Sequence, residues 1–189
     1  MQKPSFTYQI RQATLDDRIS IEQLIADSAR GLSRDDYTDE QIEAAIVGVF
    51  GVDTALILDG TYLVAESNSR LIACGGWSRR KTLFGGDQYE QRNDEVELNP
   101  EIDPAKIRAF FVHPEFARIG VGRALLDACE SAAASHGFQS LELMATLPGV
   151  KLYAACGYQS HEPFELELGN GVKLGLVPMS KELPERRVT

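Results

Sequence analysis

The chain has 189 residues, 43% hydrophobic and 25% charged, the proportions of a single globular domain covering residues 1–189. A formal net charge of −9 denies a general nucleic-acid binder the basic face that phosphates require. No apolar run reaches the roughly 18 residues of a membrane span, and the opening MQKPSFTYQIRQAT lacks the apolar segment of a secretory signal.

Residues 6–13 read as a first strand with Tyr8 and Ile10 on one face. Thr14, with Asp16 and Asp17 behind it, starts a helix whose apolar face (Ile21, Leu24, Ile25, Ser28) runs to about Arg30. Residues 31–37 form a polar loop. Thr38 caps a second helix carrying Ile42, Ala45, Ile46 and Val49, and residues 53–58 make a short helical turn. Residues 61–66 and 71–78 predict a hairpin about Ser67-Asn68-Ser69-Arg70. Gly75 and Gly76 in its second strand predict a bulge or the close approach of another group. Residues 81–104 are polar and aperiodic, the mark of a functional or mobile loop.

Ala109, Phe110, Phe111 and Val112 then form an apolar strand that stops at His113-Pro114. A linker containing Gly120 and Gly122 opens directly into a helix over residues 120–136, with Val121, Ala124, Leu125, Ala128 and Ala132 inward and Gly137 as terminator. A strand feeding such a turn and helix aims unpaired N–H groups and the positive helix end at one spot, which suits a phosphate. Residues 138–145 alternate as a strand, with Leu141, Leu143 and Ala145 on one face and Glu142 and Met144 on the other. Residues 148–156 form a short helix. Residues 158–168 and 172–179 form a last hairpin around Gly169-Asn170-Gly171. The strand–helix–strand unit over 107–145 makes two strands parallel through a right-handed crossover, and the hairpins make the others antiparallel. Cys74, Cys129 and Cys156 lie far apart among apolar neighbours, with no C-x-x-C pair. This predicts buried packing, no metal, and a reducing, cytoplasmic location.

The two common nucleotide motifs fail: a third Rossmann glycine would fall on Leu125, and no P-loop is present. The window Ala117-Arg118-Ile119-Gly120-Val121-Gly122, preceded by Val112-His113-Pro114, instead resembles the pyrophosphate loop Q/R-x-x-G-x-G/A of the GNAT superfamily of acyl-CoA N-acyltransferases. Ala117 departs from that pattern. The later family segment N-x-x-A-x-x-x-Y-x-x-x-G-F/Y is matched by Tyr153-Ala154-Ala155-Cys156-Gly157-Tyr158, with Thr146 and Gly149 departing at the Asn and Ala positions.

The resemblance implies an α/β (α+β) fold with a mixed, mostly antiparallel central sheet, helices on both faces and two splayed parallel strands. It implies an acetyl-CoA-dependent N-acetyltransferase with acetyl-CoA as cosubstrate and no metal. Phe111, Val112 and His113 would line the gap between the splayed strands, with an N–H near Phe111 or Val112 polarising the thioester carbonyl. Arg118, Ile119, Gly120, Val121, Gly122 and Arg123 would hold the pyrophosphate, and Thr146 would stand beside the cofactor. Tyr153 would be the general acid, its phenol protonated at neutral pH and able to protonate a departing thiolate.

The general base stays open among Glu95, Glu97 and Glu115, because Lys106 stands where some relatives carry a Glu. His113, in its X-Pro context, reads as a strand-end element rather than a base. Residues 31–37, Trp77 and residues 81–104 are expected to build the pocket for a small-molecule or protein amine. The basic run Arg79-Arg80-Lys81 would face that pocket only for an anionic acceptor. A homodimer is common in the resembled family, and no nucleic-acid or membrane partner is expected. The alternative is a non-catalytic acyl-CoA-binding sensor or regulatory module.

Overall fold

Apolar alternation and turn residues set the strands, and the strands set where the site falls. The computed structural model describes residues 6–184. β1 (Gln9–Gln12) leads through one helical turn into α1 (Arg18–Leu32), then α2 (Asp39–Gly48), α3 (Thr54–Leu58), β2 (Tyr62–Ser67), β3 (Arg70–Ser78) and β4 (Ala105–Val112). After these come α4 (Val121–Ser135), β5 (Ser140–Thr146), α5 (Val150–Ala155), β6 (Gln159–Ser160), β7 (Phe164–Glu167) and β8 (Lys173–Glu182). The eight strands make one sheet in the order β1-β2-β3-β4-β5-β8-β6, with β7 also on β8. Only β4 and β5 run parallel among the described pairs, as expected of the mixed fold.

Strand alternation distributes the core to both sheet faces. Val64 and Cys74 join Ile21, Leu24 and Ile25 of α1 on one side. Ala65 and Ala73 join Val121 and Leu125 of α4 on the other. Ile21, Leu24, Ile25 and Ser28 are buried as their spacing predicts. α1 nevertheless continues two residues beyond Arg30, through Gly31, where a Cβ would lie 2.2 Å from the Pro114 ring. The inward face of α4 is rotated from the expected one. Val121 and Leu125 are buried together with Leu126, Cys129 and Ala133, while Ala124, Ala128 and Ala132 are half-buried at its margin. The bulkier side chains claim the interface, and the alanines border it.

Several boundaries differ from the sequence reading. β1 is shorter than predicted, since only Gln9–Gln12 pair with β2. The β2–β3 turn is two residues, Asn68 and Ser69, both at positive φ (50° and 61°), the geometry of a tight hairpin. The last hairpin is broken into β6 and β7 around Pro163, which has no N–H to give a ladder. Cys74 and Cys129 are buried, but Cys156 is only half-buried.

At the start of α1, Asp17 accepts the Thr14 N–H and two Arg11 hydrogen bonds, each at 2.8 Å. Arg11 draws the Asp17 carboxyl down to about 2. A folded pKa below the unfolded value of ~4 gives stability that is complete above that value and fades as pH falls through about 2. In acid titrations of folding stability, Asp17→Asn should therefore trail the parent chain at neutral pH. The gap should close below about pH 2.

Candidate active site

β4 and β5 share only two register pairs, Ala105 with Leu141 and Lys106 with Glu142. Beyond them β4 stays with β3 as far as Val112, and β5 stays with β8 as far as Thr146, so the two edges separate into a wedge. A bulge shapes the β4 side. Cys74 pairs with Phe111 and Gly76 with Arg108, which leaves Ala109 and Phe110 opposite Gly75 alone. The extra residue thus sits on β4, with Ala109 at φ +50°, and not on the glycine-bearing strand. The expected close approach at Gly75 is present: the Phe110 ring comes 2.2 Å from where a Cβ would be.

Strand alternation sends the neighbouring aromatic rings of β4 to opposite faces. Phe110 meets Tyr153 edge-on with centroids 6.2 Å apart, and Phe111 meets Phe50 at 5.6 Å. The His113 N–H donates to the Ile72 carbonyl at 2.8 Å. Antiparallel alternation then turns the N–H of Phe111 toward β3 and that of Val112 into the wedge. Of the two candidates for carbonyl polarisation, Val112 offers the free edge, and Phe111 lines the wedge through its ring. His113 lies at the end of β4. Its Nε2 is 2.8 Å from the Arg70 guanidinium and its Nδ1 accepts the Glu115 N–H at 3.2 Å, so neither its backbone nor its ring serves the wedge.

The mouth of the wedge is the start of α4. Gly120 caps it at φ +95°, and the first intrahelical bond runs from the Ala124 N–H to the Gly120 carbonyl at 3.0 Å. The N–H groups of Val121, Gly122 and Arg123 therefore point out of the helix end. A Cβ on Gly120 would meet nothing within 4 Å, so the space before these donors is open. A Cβ on Gly122 would come 3.2 Å from Val112 Cγ2, which shows how closely the helix start abuts the end of β4. Arg118, at φ +63°, and Ile119 are exposed beside it. The Arg123 guanidinium instead donates to the Ala155 carbonyl at 2.6 Å, tying α4 to α5 and leaving its backbone as its contribution. Thr146 closes β5 on the far side.

Inside the wedge is a cleft, open to solvent, whose lining includes Phe110, Phe111, Thr146 and Tyr153. Tyr153 is buried, and burial raises its phenol well above the ordinary value, so it stays protonated. The outer wall comes from residues 49–51 and 83–86. Residues 31–37 do not reach it. Tyr37 is a buried strut that donates to the Gly175 carbonyl at 2.6 Å and accepts the Leu147 N–H at 2.8 Å, its phenol pushed up to about 12 by burial. Trp77 belongs to the core, its ring against His136 and Phe138.

The candidate bases lie elsewhere. Glu95 is exposed, Glu97 pairs with Arg79 at 3.4 Å, and Glu115 pairs with Arg70 at 2.8 Å. Lys106 is buried against Glu142 at the fork. The run of Arg79-Arg80-Lys81 does not face the cleft either, since Arg80 grips both Asp59 oxygens at 2.6 and 2.7 Å.

The sequence reading missed a buried charge network behind the outer wall. Asp53 caps α3 and is fully buried. It binds Arg92 at 2.9 Å and also Arg108, and both arginines reach Asp94. Both also donate to the Gly85 carbonyl, at 2.9 and 3.1 Å, which fixes the wall segment. Burial draws the Arg108 guanidinium down from its ordinary value, with Asp53 opposing. The available signal was an arginine that, with Lys106, interrupts the apolar residues of β4 and must find an acid.

The Acetyltransferase (GNAT) family model matches residues 20–158. No curated protein matches the chain significantly. Among solved structures, the GCN5-related N-acetyltransferase of Rhodopseudomonas palustris is 20% identical with a TM-score of 0.71, over 97% of this chain and 100% of that one. The PaiA N-acetyltransferase of Thermoplasma acidophilum, in complex with coenzyme A, is 15% identical with a TM-score of 0.63, over 94% and 99%. YncA of Salmonella typhimurium, with its cofactor acetyl-CoA, is 18% identical with a TM-score of 0.60, over 97% and 98%. These structures share the fold. With most of its length matched by the family model, from within α1 to three residues past α5, the chain belongs to the GNAT acetyltransferase family.

Proposed function

We propose that the chain transfers the acetyl group of acetyl-CoA to a primary amine by direct attack on the thioester. The observation that carries this reading is the wedge itself, with unpaired helix-start N–H groups at its mouth and a buried tyrosine within. The residues present fit the cosubstrate. The open space at Gly120 lets a diphosphate approach the N–H groups of Val121, Gly122 and Arg123 without meeting a side chain. The unpaired edge of β4 accepts an extended amide-bearing arm as an added strand.

Bound acetyl-CoA supplies an activated acyl carbon and a thiolate leaving group. The Val112 N–H, turned into the wedge, would be the donor for the thioester oxygen and would stabilise the charge that gathers there. Tyr153 holds its proton until sulfur departs, because burial disfavours the charged phenolate. The acidic surface does not oppose binding of the anion, because charge effects are screened over about 10 Å while the helix-start donors act at contact.

Gly120→Val tests the cradle. A branched side chain both fills the open space and must adopt the left-handed conformation, so coenzyme A affinity by calorimetry should fall about tenfold or more. Thiol release from acetyl-CoA with an amine panel tests turnover. Tight coenzyme A binding with no release across the panel would favour the non-catalytic module.

A further inference from the structure

We infer that the acceptor is a primary aromatic amine, its nitrogen borne on a flat, uncharged ring system. This rests on the acetyl-transfer reading above and concerns the same cleft. The wall facing the fork is apolar and rich in rings: Phe50, Leu83, Phe84, Phe111, Met144 and Leu176. The Phe84 ring is itself backed by Tyr89 at 5.1 Å and Phe164 at 6.5 Å, so it presents a supported face.

The wall is fixed before any acceptor arrives. The Gly85 carbonyl takes hydrogen bonds from both Arg92 and Arg108, and the Gly86 N–H donates to the Val49 carbonyl at 2.9 Å. Gly85 sits at φ +98°, with the Tyr89 ring filling the place of a Cβ. This strap therefore holds Phe84 over the cleft as a rigid side of a slot.

Charge selects the class of amine. Among the described residues that line the cleft, Arg108 is the one with a charged side chain. It is 1% exposed, and its terminal nitrogens are committed to Asp53, Asp94 and the Gly85 carbonyl. A carboxylate or phosphate on the acceptor would find there only the unpaired Arg108 Nε, buried in a side chain that is 1% exposed. An ammonium would lose its hydration against phenylalanine rings, with no carboxylate lining the cleft to pair with it or take its proton. An aromatic amine is neutral at pH 7 and needs neither. Its nitrogen bonds to the acetyl carbon as the carbon–sulfur bond breaks. The bond's electron pair and the Tyr153 proton go to sulfur, the nitrogen's extra proton goes to water, and Tyr153 is reprotonated from solvent. The products are an N-aryl acetamide and free coenzyme A.

The test is thiol release from acetyl-CoA by the full chain with aniline, naphthylamine, phenethylamine, putrescine, glutamate and a short peptide. Saturation-transfer NMR of naphthylamine on the coenzyme A-loaded protein provides a separate readout. The two aryl amines should exceed putrescine, glutamate and the peptide in kcat/KM by about 100-fold. Their rates should be flat over about pH 6–9, whereas phenethylamine should gain about tenfold per pH unit as it deprotonates.

Phe84→Leu keeps the volume apolar but removes the ring. It should raise KM for naphthylamine about tenfold and leave KM for acetyl-CoA within about twofold. Preferential acetylation of putrescine, glutamate or the peptide would overturn the inference while acetyl transfer stood. So would naphthylamine that neither binds nor reacts. A preference for hexanoyl-CoA over acetyl-CoA, blind to the acceptor's body, would assign the cleft to the acyl chain and overturn it as well. Coenzyme A binding with no thiol release from any amine would bring down the acetyl-transfer reading and this inference together.

Discussion

Replacing Tyr153 with phenylalanine is expected to lower kcat by about 10–100-fold while leaving coenzyme A affinity unchanged. The substitution is a narrow one. The ring keeps its edge-on contacts with Phe110 and Tyr158, at 6.2 and 5.7 Å, so packing of α5 against the fork survives. What disappears is a hydroxyl in the cleft whose proton burial holds firmly. The effect should fall below the usual ~10²–10⁴ of acid–base groups because a thiolate leaves readily even without help. Steady-state assays decide it. An unaltered kcat would reduce Tyr153 to a packing residue.

The largest stability effect is expected at Asp53. Asp53→Ala removes one carboxylate facing two guanidinium groups, that of Arg108 buried and that of Arg92 half-buried. Breaking such a pair from one side leaves charge without a counterion in a dry setting, at a cost of about 3–5 kcal/mol. It also removes the cap that accepts the Leu56 N–H at 3.3 Å. Urea unfolding should show this loss as a lower midpoint. A variant within about 0.5 kcal/mol of the parent would mean that Asp94 alone carries both arginines. By contrast, the exposed pair Arg30–Glu43, although well formed at 2.7 Å, belongs to the class that contributes little in water.

Local patterns were legible in the sequence, and encounters between distant segments were not. The face Ile21-Leu24-Ile25-Ser28, the alternation Leu141-Leu143-Ala145 and the cap Thr38 each follow from residues within one or two turns, and all are found as read. The start of α4 and the position of Tyr153 on its short helix were legible for the same reason. Tertiary packing decided the remainder. The bulge belongs to β4 because Gly75 makes room for the Phe110 ring, an arrangement that needs both strands to be seen. Residues 81–104 have no periodicity of their own. They are ordered instead by Arg92 reaching Asp53 across 39 positions of sequence, and by hydrogen bonds from Lys81 to Val96 and from Leu98 to Arg79. Arg108 sits between Ile107 and Ala109 in the sequence, and its partners Asp53 and Asp94 are brought to it only by the fold.

The two register pairs joining β4 to β5 make the sheet resemble a book bound only at one corner, with Lys106 and Glu142 as the stitching. Pages so bound gain alignment from whatever is slid between them. An extended thioester arm along β4 would replace the missing ladder and register one leaf against the other. The cosubstrate's arm would then serve as a member of the sheet as well as the carrier of the acyl group.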